Sequence, residues 1–148
     1  MPVTLSAGDA APAFSLQDQN GKTVRLSDFR GRKLLVFFYP KADTPGCTRQ
    51  SCSVRDARPD FSRLGVDVVG ISPDSAGDQA RFDAKHSLAF PLLSDTGHAA
   101  CGAWGAWDGE RVIRSSFLVG ADGRLLGAWY RVKPEETVPK AREALAGG

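Results

Sequence analysis

The chain has 148 residues, of which 42% are hydrophobic and 24% charged, and its formal net charge is +2. This composition is typical of a single globular domain, here 1–148, and it excludes disordered and membrane-spanning classes. Because no basic run is interleaved with aromatic residues, we expect neither a nucleic acid nor a membrane as partner. The first 14 residues lack the charged and apolar regions of a signal peptide, which predicts a cytoplasmic protein.

The first elements predicted along the chain are a hairpin and a buried strand. Residues 14–16 and 23–26 alternate apolar and polar side chains around Gln19-Asn20-Gly21, a pattern typical of a β-hairpin at the edge of a sheet. A short turn of helix is expected over 27–31. Residues 34–39 are apolar without interruption, which predicts a strand that is covered on both faces and central in its sheet.

A long helix is predicted next, from the N-cap candidate Thr44 to about Leu64, where Gly65 ends it. Pro59 lies inside this helix. A proline there removes one backbone hydrogen bond and clashes with the preceding turn. We therefore expect a kink or a break near Ala57.

The remaining elements continue the alternation of strand and helix. This order predicts an α/β fold in which helices flank a central mixed β-sheet, with the N-terminal β-hairpin as an extension. In such sheets ligands bind beyond the carboxyl ends of the strands. The predicted strands are 66–72, 91–93, 115–119 and 125–130, the helices are 75–86, 96–104 and 135–146, and a hairpin turn is expected at 121–123.

The three cysteines, Cys47, Cys52 and Cys101, can be reactive, metal-binding or simply buried, since no export signal suggests a disulfide framework. The two cysteines of a metal-binding pair are usually closer in sequence than Cys47 and Cys52 are. No further His or Cys pair has the spacing of a zinc site, so we expect no metal.

Pro45 is a favourable first residue of a helix, which places Cys47 near the third helical position. Free backbone N–H groups and the helix dipole stabilise a thiolate there, and the thiolate is the reactive form of cysteine.

The residues around Cys47 resemble a known signature. The pattern Pro40-x-x-x-Thr44-x-x-Cys47 is similar to the active-site motif of the peroxiredoxins, and the run 39–48 resembles the bacterioferritin comigratory protein, or peroxiredoxin Q, subfamily. The resemblance implies a thioredoxin-like fold and the reduction of hydrogen peroxide and organic hydroperoxides by a cysteine thiolate, without a metal, flavin or other cofactor. It extends over most of the chain, through the segments 11–14, 70–74, 90–95 and 114–119.

The resemblance also implies a role for each site residue. Cys47 would be the peroxidatic thiolate, which attacks the peroxide and becomes a sulfenic acid. Thr44 would cap the helix with its hydroxyl oxygen while donating to sulfur or peroxide, and Arg114 would donate to the thiolate and the leaving oxygen. Pro40 would shield the pocket, or it is simply a strand terminator. Gln50 is either the partner that orients Arg114 or a solvated helix residue.

By the same resemblance, Cys52 would be the resolving cysteine. It would form an intramolecular disulfide with Cys47, which thioredoxin or a similar dithiol would reduce. In an intact helix, five residues separate two Cα atoms by about 8.7 Å, whereas a disulfide needs them within about 7 Å. The start of the helix must therefore unwind first. Because the resolving thiol is in the same chain, a monomer is expected. Cys101 is interpreted as a buried bystander, with a back-up resolving role as the alternative.

Several residues have structural interpretations. His86 and His98 are expected to be isolated and solvated. Trp104 and Trp107 are interpreted as packing residues, with a place in the wall of the pocket as the alternative. The loop between residues 105 and 114 is shorter than the one usual in the subfamily, which leaves the rim of the pocket and the choice of peroxide open.

Two other function classes are also considered. A thiol-disulfide oxidoreductase would carry a Cys-x-x-Cys pair, which this chain lacks. A non-catalytic peroxide sensor or a redox-regulated chaperone would use the same oxidation of Cys47, but with slow or absent turnover.

Overall fold

The computed structural model describes residues 3–147, which form a seven-stranded mixed sheet with helices on both faces. The strands are β1 Ser15–Gln17, β2 Thr23–Arg25, β3 Lys33–Phe38, β4 Val66–Ser72, β5 Leu92–Ser94, β6 Ser115–Val119 and β7 Leu125–Trp129. The helices are α1 Pro45–Arg63, α2 Ala76–His86, α3 Ala99–Ala103 and α4 Thr137–Gly147, with a short 3-10 helix at Leu26–Phe29. The strand order is β2-β1-β5-β4-β3-β6-β7.

Strand β3 is central, as its apolar sequence predicts. It pairs in parallel with β4 and antiparallel with β6, and its residues 34–38 are fully buried. Because successive strand residues face opposite sides of a sheet, its side chains contribute to two separate cores. Leu35 and Phe37 pack with residues of α1, α2 and α4. Leu34 and Val36 pack on the other face, with residues of the hairpin and of α3.

The predicted order of elements is confirmed, including the edge hairpin of β1 and β2 and the turn between β6 and β7. Helix α3 is shorter than the predicted 96–104. His98 has a left-handed backbone conformation, with φ of 61°, so the helix cannot begin before Ala99. Within residues 3–147, no helix has the length and apolar character needed to cross a membrane.

The sequence predicts a kink or a break near Ala57. Helix α1 is continuous from Pro45 to Arg63, so the predicted break is wrong. Pro59 lies on the exposed side of the helix, whereas Ala57 and Phe61 lie in the core. Packing of this apolar face holds the helix together across the proline, because tertiary burial contributes more to helix stability than local propensity does.

Replacing Pro59 with alanine should stabilise the protein, because alanine restores the backbone N–H and removes the clash with the preceding turn. We expect the free energy of unfolding in urea to rise by about 1–3 kcal/mol, the proline penalty less the entropy that proline removes from the unfolded chain. Arg58→Ala, at the neighbouring exposed position, is the control and should change stability by less than about 0.5 kcal/mol. A Pro59→Ala variant no more stable than the wild type would contradict this explanation.

Candidate active site

Cys47 lies at the start of α1, beyond the carboxyl end of β3, as predicted. Thr44 precedes the helix, Pro45 is its first residue and Cys47 its third. The side chain of Cys47 is only 1% exposed. The free N–H groups and the positive end of the helix dipole therefore act on its sulfur in surroundings with little water, where such interactions are strong.

The guanidinium of Arg114 contacts this sulfur directly. Its Nη2 donates to Cys47 Sγ at 3.4 Å, and its Nη1 donates to Gln50 Oε1 at 2.6 Å. Gln50 is completely buried on α1, one turn beyond Cys47. The predicted pairing of Gln50 with Arg114 is therefore confirmed, and its interpretation as a solvated helix residue is wrong.

The hydrogen bonds continue from Gln50 into the interior. Gln50 Nε2 donates to Thr137 Oγ1 at 2.9 Å, and Thr137 Oγ1 lies 2.7 Å from Ser116 Oγ. All three side chains are 0% exposed. The sequence analysis missed Thr137 and Ser116. The available signal was Ser116 in the predicted strand 115–119, directly before an apolar run, because a buried hydroxyl nearly always has a partner.

Gly46 gives Arg114 the space to approach the helix. A Cβ atom at Gly46 would lie 3.0 Å from Arg114 Nη2 and 3.5 Å from Pro134 Cγ. The segment that carries Pro134 also holds the backbone of Arg114, since Val132 N donates to Arg114 O at 3.0 Å. Arg114 is thus confined between the first turn of α1 and the chain that follows β7.

Thr44 occupies the predicted N-cap position, but its side chain does not perform the predicted capping role. Its hydroxyl donates to Lys41 O at 2.8 Å and makes no capping bond to the helix. The reason is local, because this donation closes the short loop that leads into α1. Pro40 is half-buried at the exit of β3, and its shielding of the pocket stays a prediction.

Asp43 anchors the loop before Cys47 to the end of α2. Its carboxylate accepts from Lys85 Nζ at 3.0 Å and lies 3.3 Å from His86 Nε2. Lys85 and, to a smaller extent, His86 lower the pKa of Asp43 below its usual range. The same end of α2 also contacts α1, since Arg55 Nη1 donates to the carbonyl oxygen of His86 at 2.7 Å. The sequence predicts an isolated His86, and this prediction is wrong. The fold brings charged residues that are distant in sequence close to it.

A second network of hydrogen bonds connects the loop before Cys47 to the interior of the protein. Tyr39 OH donates to Gln79 Oε1 at 2.5 Å, and Gln79 Nε2 donates to Ser72 Oγ at 2.8 Å. Ser72 Oγ donates to Asp74 Oδ2, which also accepts from Ala42 N, both at 2.7 Å. Burial raises the pKa of Tyr39, so its hydroxyl keeps the proton that it donates.

The other two cysteines lie in different environments. All three cysteines are free. Cys52 is half-buried on α1 and packs against the core that contains Cys47. Cys101 is fully buried in the core on the opposite face of the sheet. Burial, reinforced by the neighbouring Asp95 carboxylate, raises the pKa of the Cys101 thiol. Its predicted burial is confirmed, and the sheet separates it from Cys47.

The short loop at 105–114 is a tight hairpin. Trp107 and Val112 form an antiparallel bridge. The Asp108 carboxylate accepts from the backbone N–H groups of Glu110 and Arg111 at 2.8 and 2.7 Å. Both bonds lower the pKa of Asp108, and the bond from the N–H group of Arg111 has the larger effect. The loop is therefore closed by its own hydrogen bonds.

The tryptophans and His98 pack beside this hairpin. Trp104 is fully buried in the same core as Cys101, so its alternative place in the wall around Cys47 is wrong. Trp107 packs against that core and stacks on His98, with ring centroids 4.1 Å apart. His98 is therefore also not isolated. Among residues 3–147, no group of three His, Cys, Asp or Glu side chains could hold a metal ion.

Comparison with known proteins shows close similarity over nearly the whole chain. Residues 7–127 match the AhpC/TSA family. Peroxiredoxin Bcp of Escherichia coli is 48% identical over 130 residues, which cover 82% of this chain and 83% of that protein.

Solved structures are similar as well. The crystal structure of peroxidoxin BcpB from Mycobacterium tuberculosis has a TM-score of 0.89 and 31% identity and covers 97% of both chains. A structure of the bacterioferritin comigratory protein of Xanthomonas campestris, described for its alkyl peroxide reduction activity, has a TM-score of 0.84 and 31% identity over 90% of both chains.

Adding a methyl group at Gly46 should displace the Arg114 guanidinium from Cys47. Because a hydrogen bond to a charged group is lost, we expect the second-order rate of Cys47 oxidation by hydrogen peroxide to fall about tenfold in Gly46→Ala. Gly77→Ala is the matched control, since Gly77 is the second residue of α2 and a Cβ there meets nothing closer than 3.8 Å. Equal oxidation rates in the two variants would rule out the confinement of Arg114 by Gly46.

Removing the charge of Asp43 should loosen the loop before Cys47. Asparagine tolerates the positive φ of 62° at this position, so Asp43→Asn tests the charge without adding backbone strain. We expect amide hydrogen exchange over 42–48 at pH 7 to be about two- to fivefold faster, a modest effect because exposed ion pairs are weak. The lowered pKa means that this contribution is complete at neutral pH and is lost only as the pH falls through the folded-state value.

The control for this measurement is Asp67→Asn, which removes an exposed ion pair with Arg32 at the opposite end of β3. Exchange over 42–48 should not change in that variant. The anchoring role of Asp43 would be contradicted if both variants exchanged at the wild-type rate in this segment.

Proposed function

Because the chain belongs to the AhpC/TSA family, among the Bcp and peroxiredoxin Q proteins, we propose that Cys47 is the peroxidatic cysteine of a thiol-dependent peroxidase. Membership of this family establishes the thioredoxin-like fold and the reduction of hydroperoxides at the expense of a thiol. The observation that supports the assignment to Cys47 is the contact of 3.4 Å between its buried sulfur and Arg114 Nη2 at a helix start.

In the proposed first step, the Cys47 thiolate attacks the distal oxygen of hydrogen peroxide or an organic hydroperoxide. A sulfur–oxygen bond forms and the oxygen–oxygen bond breaks, which oxidises Cys47 to a sulfenic acid and reduces the peroxide. The departing alkoxide or hydroxide takes a proton from water and leaves as alcohol or water. Charge moves from sulfur to the departing oxygen, so the site needs a donor that serves both atoms. Arg114 can do so, because its fork presents several N–H groups and keeps its charge.

Thr44 and Pro40 are proposed to complete the peroxide site. The Thr44 hydroxyl donates to Lys41 O, so it must rotate about its Cα–Cβ bond to reach a peroxide oxygen. A bound peroxide offers it an acceptor in exchange. Pro40 has no backbone N–H and would shape the loop and exclude water.

Cys52 is proposed to resolve the sulfenic acid. Its thiolate attacks Cys47 Sγ, a disulfide forms, and the sulfenic oxygen leaves as water after taking a proton. The intact first turns of α1 keep the two Cα atoms about 8.7 Å apart, beyond disulfide range. The helix must therefore unwind between the two steps. Thioredoxin or a similar dithiol then reduces the disulfide by thiol–disulfide exchange. A monomeric state and a cytoplasmic location remain predictions.

Cys101 has no part in the proposed cycle. It lies in the core on the other face of the sheet, so a disulfide with Cys47 would require the sheet to open. Burial also keeps its thiol protonated by raising its pKa, and a protonated thiol is a poor nucleophile.

The three cysteines can be tested in one assay, the consumption of hydrogen peroxide with a thioredoxin reducing system. We expect Cys47→Ser to abolish turnover, because no thiolate remains to attack the peroxide. Cys52→Ser should oxidise once to the sulfenic acid and then lose most steady-state turnover. Cys101→Ser is the control and should turn over at close to the wild-type rate.

Each outcome removes a specific part of the proposal. Turnover that survives in Cys47→Ser would remove the central assignment, and unchanged turnover in Cys52→Ser would remove the resolving role. A wild-type protein that oxidises once but does not turn over with any dithiol would favour the peroxide sensor or redox-regulated chaperone instead.

A further inference from the structure

We propose that Thr137, with its partner Ser116, is a positioning residue for the peroxide reaction, which acts by fixing the amide of Gln50 against Arg114. This inference rests on the proposed roles of Cys47 and Arg114. It follows from the direction of each hydrogen bond in the buried network and from the way in which the network closes on itself.

The direction of the bonds is determined by chemistry. A guanidinium has donors only, so Gln50 must turn its carbonyl oxygen toward Arg114. The amide nitrogen of Gln50 then points away from Arg114 and needs an acceptor. Thr137 Oγ1, at 2.9 Å, is that acceptor. The orientation of the Gln50 amide is thus set by two groups. The Arg114 guanidinium donates to its oxygen, and the Thr137 hydroxyl oxygen accepts from its nitrogen.

Without that hydroxyl, two orientations of the amide become comparable. The flipped orientation would bring the NH₂ group of Gln50 against the N–H groups of Arg114, and donors repel each other. Gln50 is fully buried, so water cannot take the place of Thr137 as acceptor. Arg114 would then lose the partner that holds Nη1 at 2.6 Å and directs Nη2 toward Cys47.

The network is also closed geometrically. Arg114 immediately precedes β6 and Ser116 is the second residue of that strand, and their side chains bond to Gln50 and Thr137 on the same side of the sheet. Thr137 bridges from Ser116 Oγ, at 2.7 Å, to Gln50. The backbone of β6, Thr137 and Gln50 therefore form a ring that includes Arg114. A ring of this kind fixes the distance between the guanidinium and α1 more tightly than a single contact would.

The start of α4 is part of this ring. Thr137 is the first residue of α4. The chain that leads into the helix donates from Val132 N to Arg114 O at 3.0 Å. One segment thus holds both the backbone of Arg114 and, through Thr137 and Gln50, its side chain. Docking of the C-terminal helix is thereby linked to the geometry around the reactive sulfur.

The test compares Thr137→Val with Thr137→Ser. Valine has the shape of threonine but no acceptor, whereas serine keeps the hydroxyl. The measured quantity is the second-order rate of Cys47 oxidation by hydrogen peroxide, from rapid mixing, thiol alkylation and intact mass. We expect the rate to fall about tenfold in Thr137→Val, the effect of one buried unsatisfied donor, and to return to within about threefold of the wild type in Thr137→Ser. Ser115→Ala is the matched control, because it removes a buried hydroxyl that donates to Ile113 O instead of to the Gln50 network.

A second arm separates positioning from packing. In a Gln50→Met background the network is already broken, so adding Thr137→Val should change the oxidation rate less than twofold. If Thr137→Val does not fold, Ser116→Ala decides, with an expected loss of about threefold. The inference is overturned if Thr137→Val oxidises within twofold of the wild type, if Thr137→Ser loses as much as Thr137→Val, or if Ser116→Ala, used in its place, matches the wild type.

These outcomes are distinct from a failure of the proposed function. Wild-type protein and Cys47→Ser are measured in the same experiment. Oxidation of Cys47→Ser by peroxide at the wild-type rate would remove Cys47 as the reactive sulfur, whatever the Thr137 variants do. If the wild type is oxidised and Cys47→Ser is not, a Thr137→Val variant that is oxidised at the wild-type rate would remove only the positioning role.

Discussion

The contact between Arg114 and the sulfur of Cys47 is the interaction on which the rest of the site depends. A buried thiolate needs compensation for its lost hydration, and a helix end supplies only partial charges. The full charge comes from Arg114, which immediately precedes β6, the strand beside β3. Phe38 pairs with Ser115 in the antiparallel register of β3 and β6, so Arg114 lies next to the point where the chain leaves β3. A slip of one residue in this register would turn Arg114 to the other face of the sheet.

The sheet also separates two kinds of sulfur. Cys47 and Cys52 share the face covered by α1, α2 and α4, whereas Cys101 lies on the face covered by the hairpin and α3. The first two are next to cationic groups, with Arg114 at Cys47 and Arg55 beside Cys52. Cys101 instead is buried beside the Asp95 carboxylate, and burial first and then Asp95 raise the pKa of its thiol. The sheet therefore places Cys101 apart from the two cysteines that are proposed to react.

Sequence patterns were sufficient for the elements and for the position of Cys47, because hydrophobic periodicity, caps and turn residues act locally. The role of Arg114 was predicted only from the resemblance to the family, because no local sequence rule shows that a residue 67 positions away contacts the sulfur of Cys47. Thr137 was missed for the same reason. Thr44 was assigned a capping bond because its type and position favour one, but the loop offered Lys41 O as a competing partner. The conformational preference of Pro59 predicted a kink or a break near Ala57, but packing of the buried face of α1 keeps the helix continuous.

The bond from Arg55 to the carbonyl oxygen of His86 has a consequence for how α1 can come apart. Arg55 lies three residues beyond Cys52, and it ties α1 to the end of α2. Unwinding limited to the first turns of α1 leaves this bond intact, whereas unwinding beyond Arg55 would break it. In the proposed cycle Cys47 and Cys52 lie on the side of this bond where the helix has to unwind. Gln50 lies between the two cysteines, so unwinding that reaches it would leave Arg114 without Cys47 and without Gln50 as partners. In the proposed cycle, forming the disulfide would therefore also take apart the contacts around Cys47, and these would re-form only when the disulfide is reduced and the helix refolds.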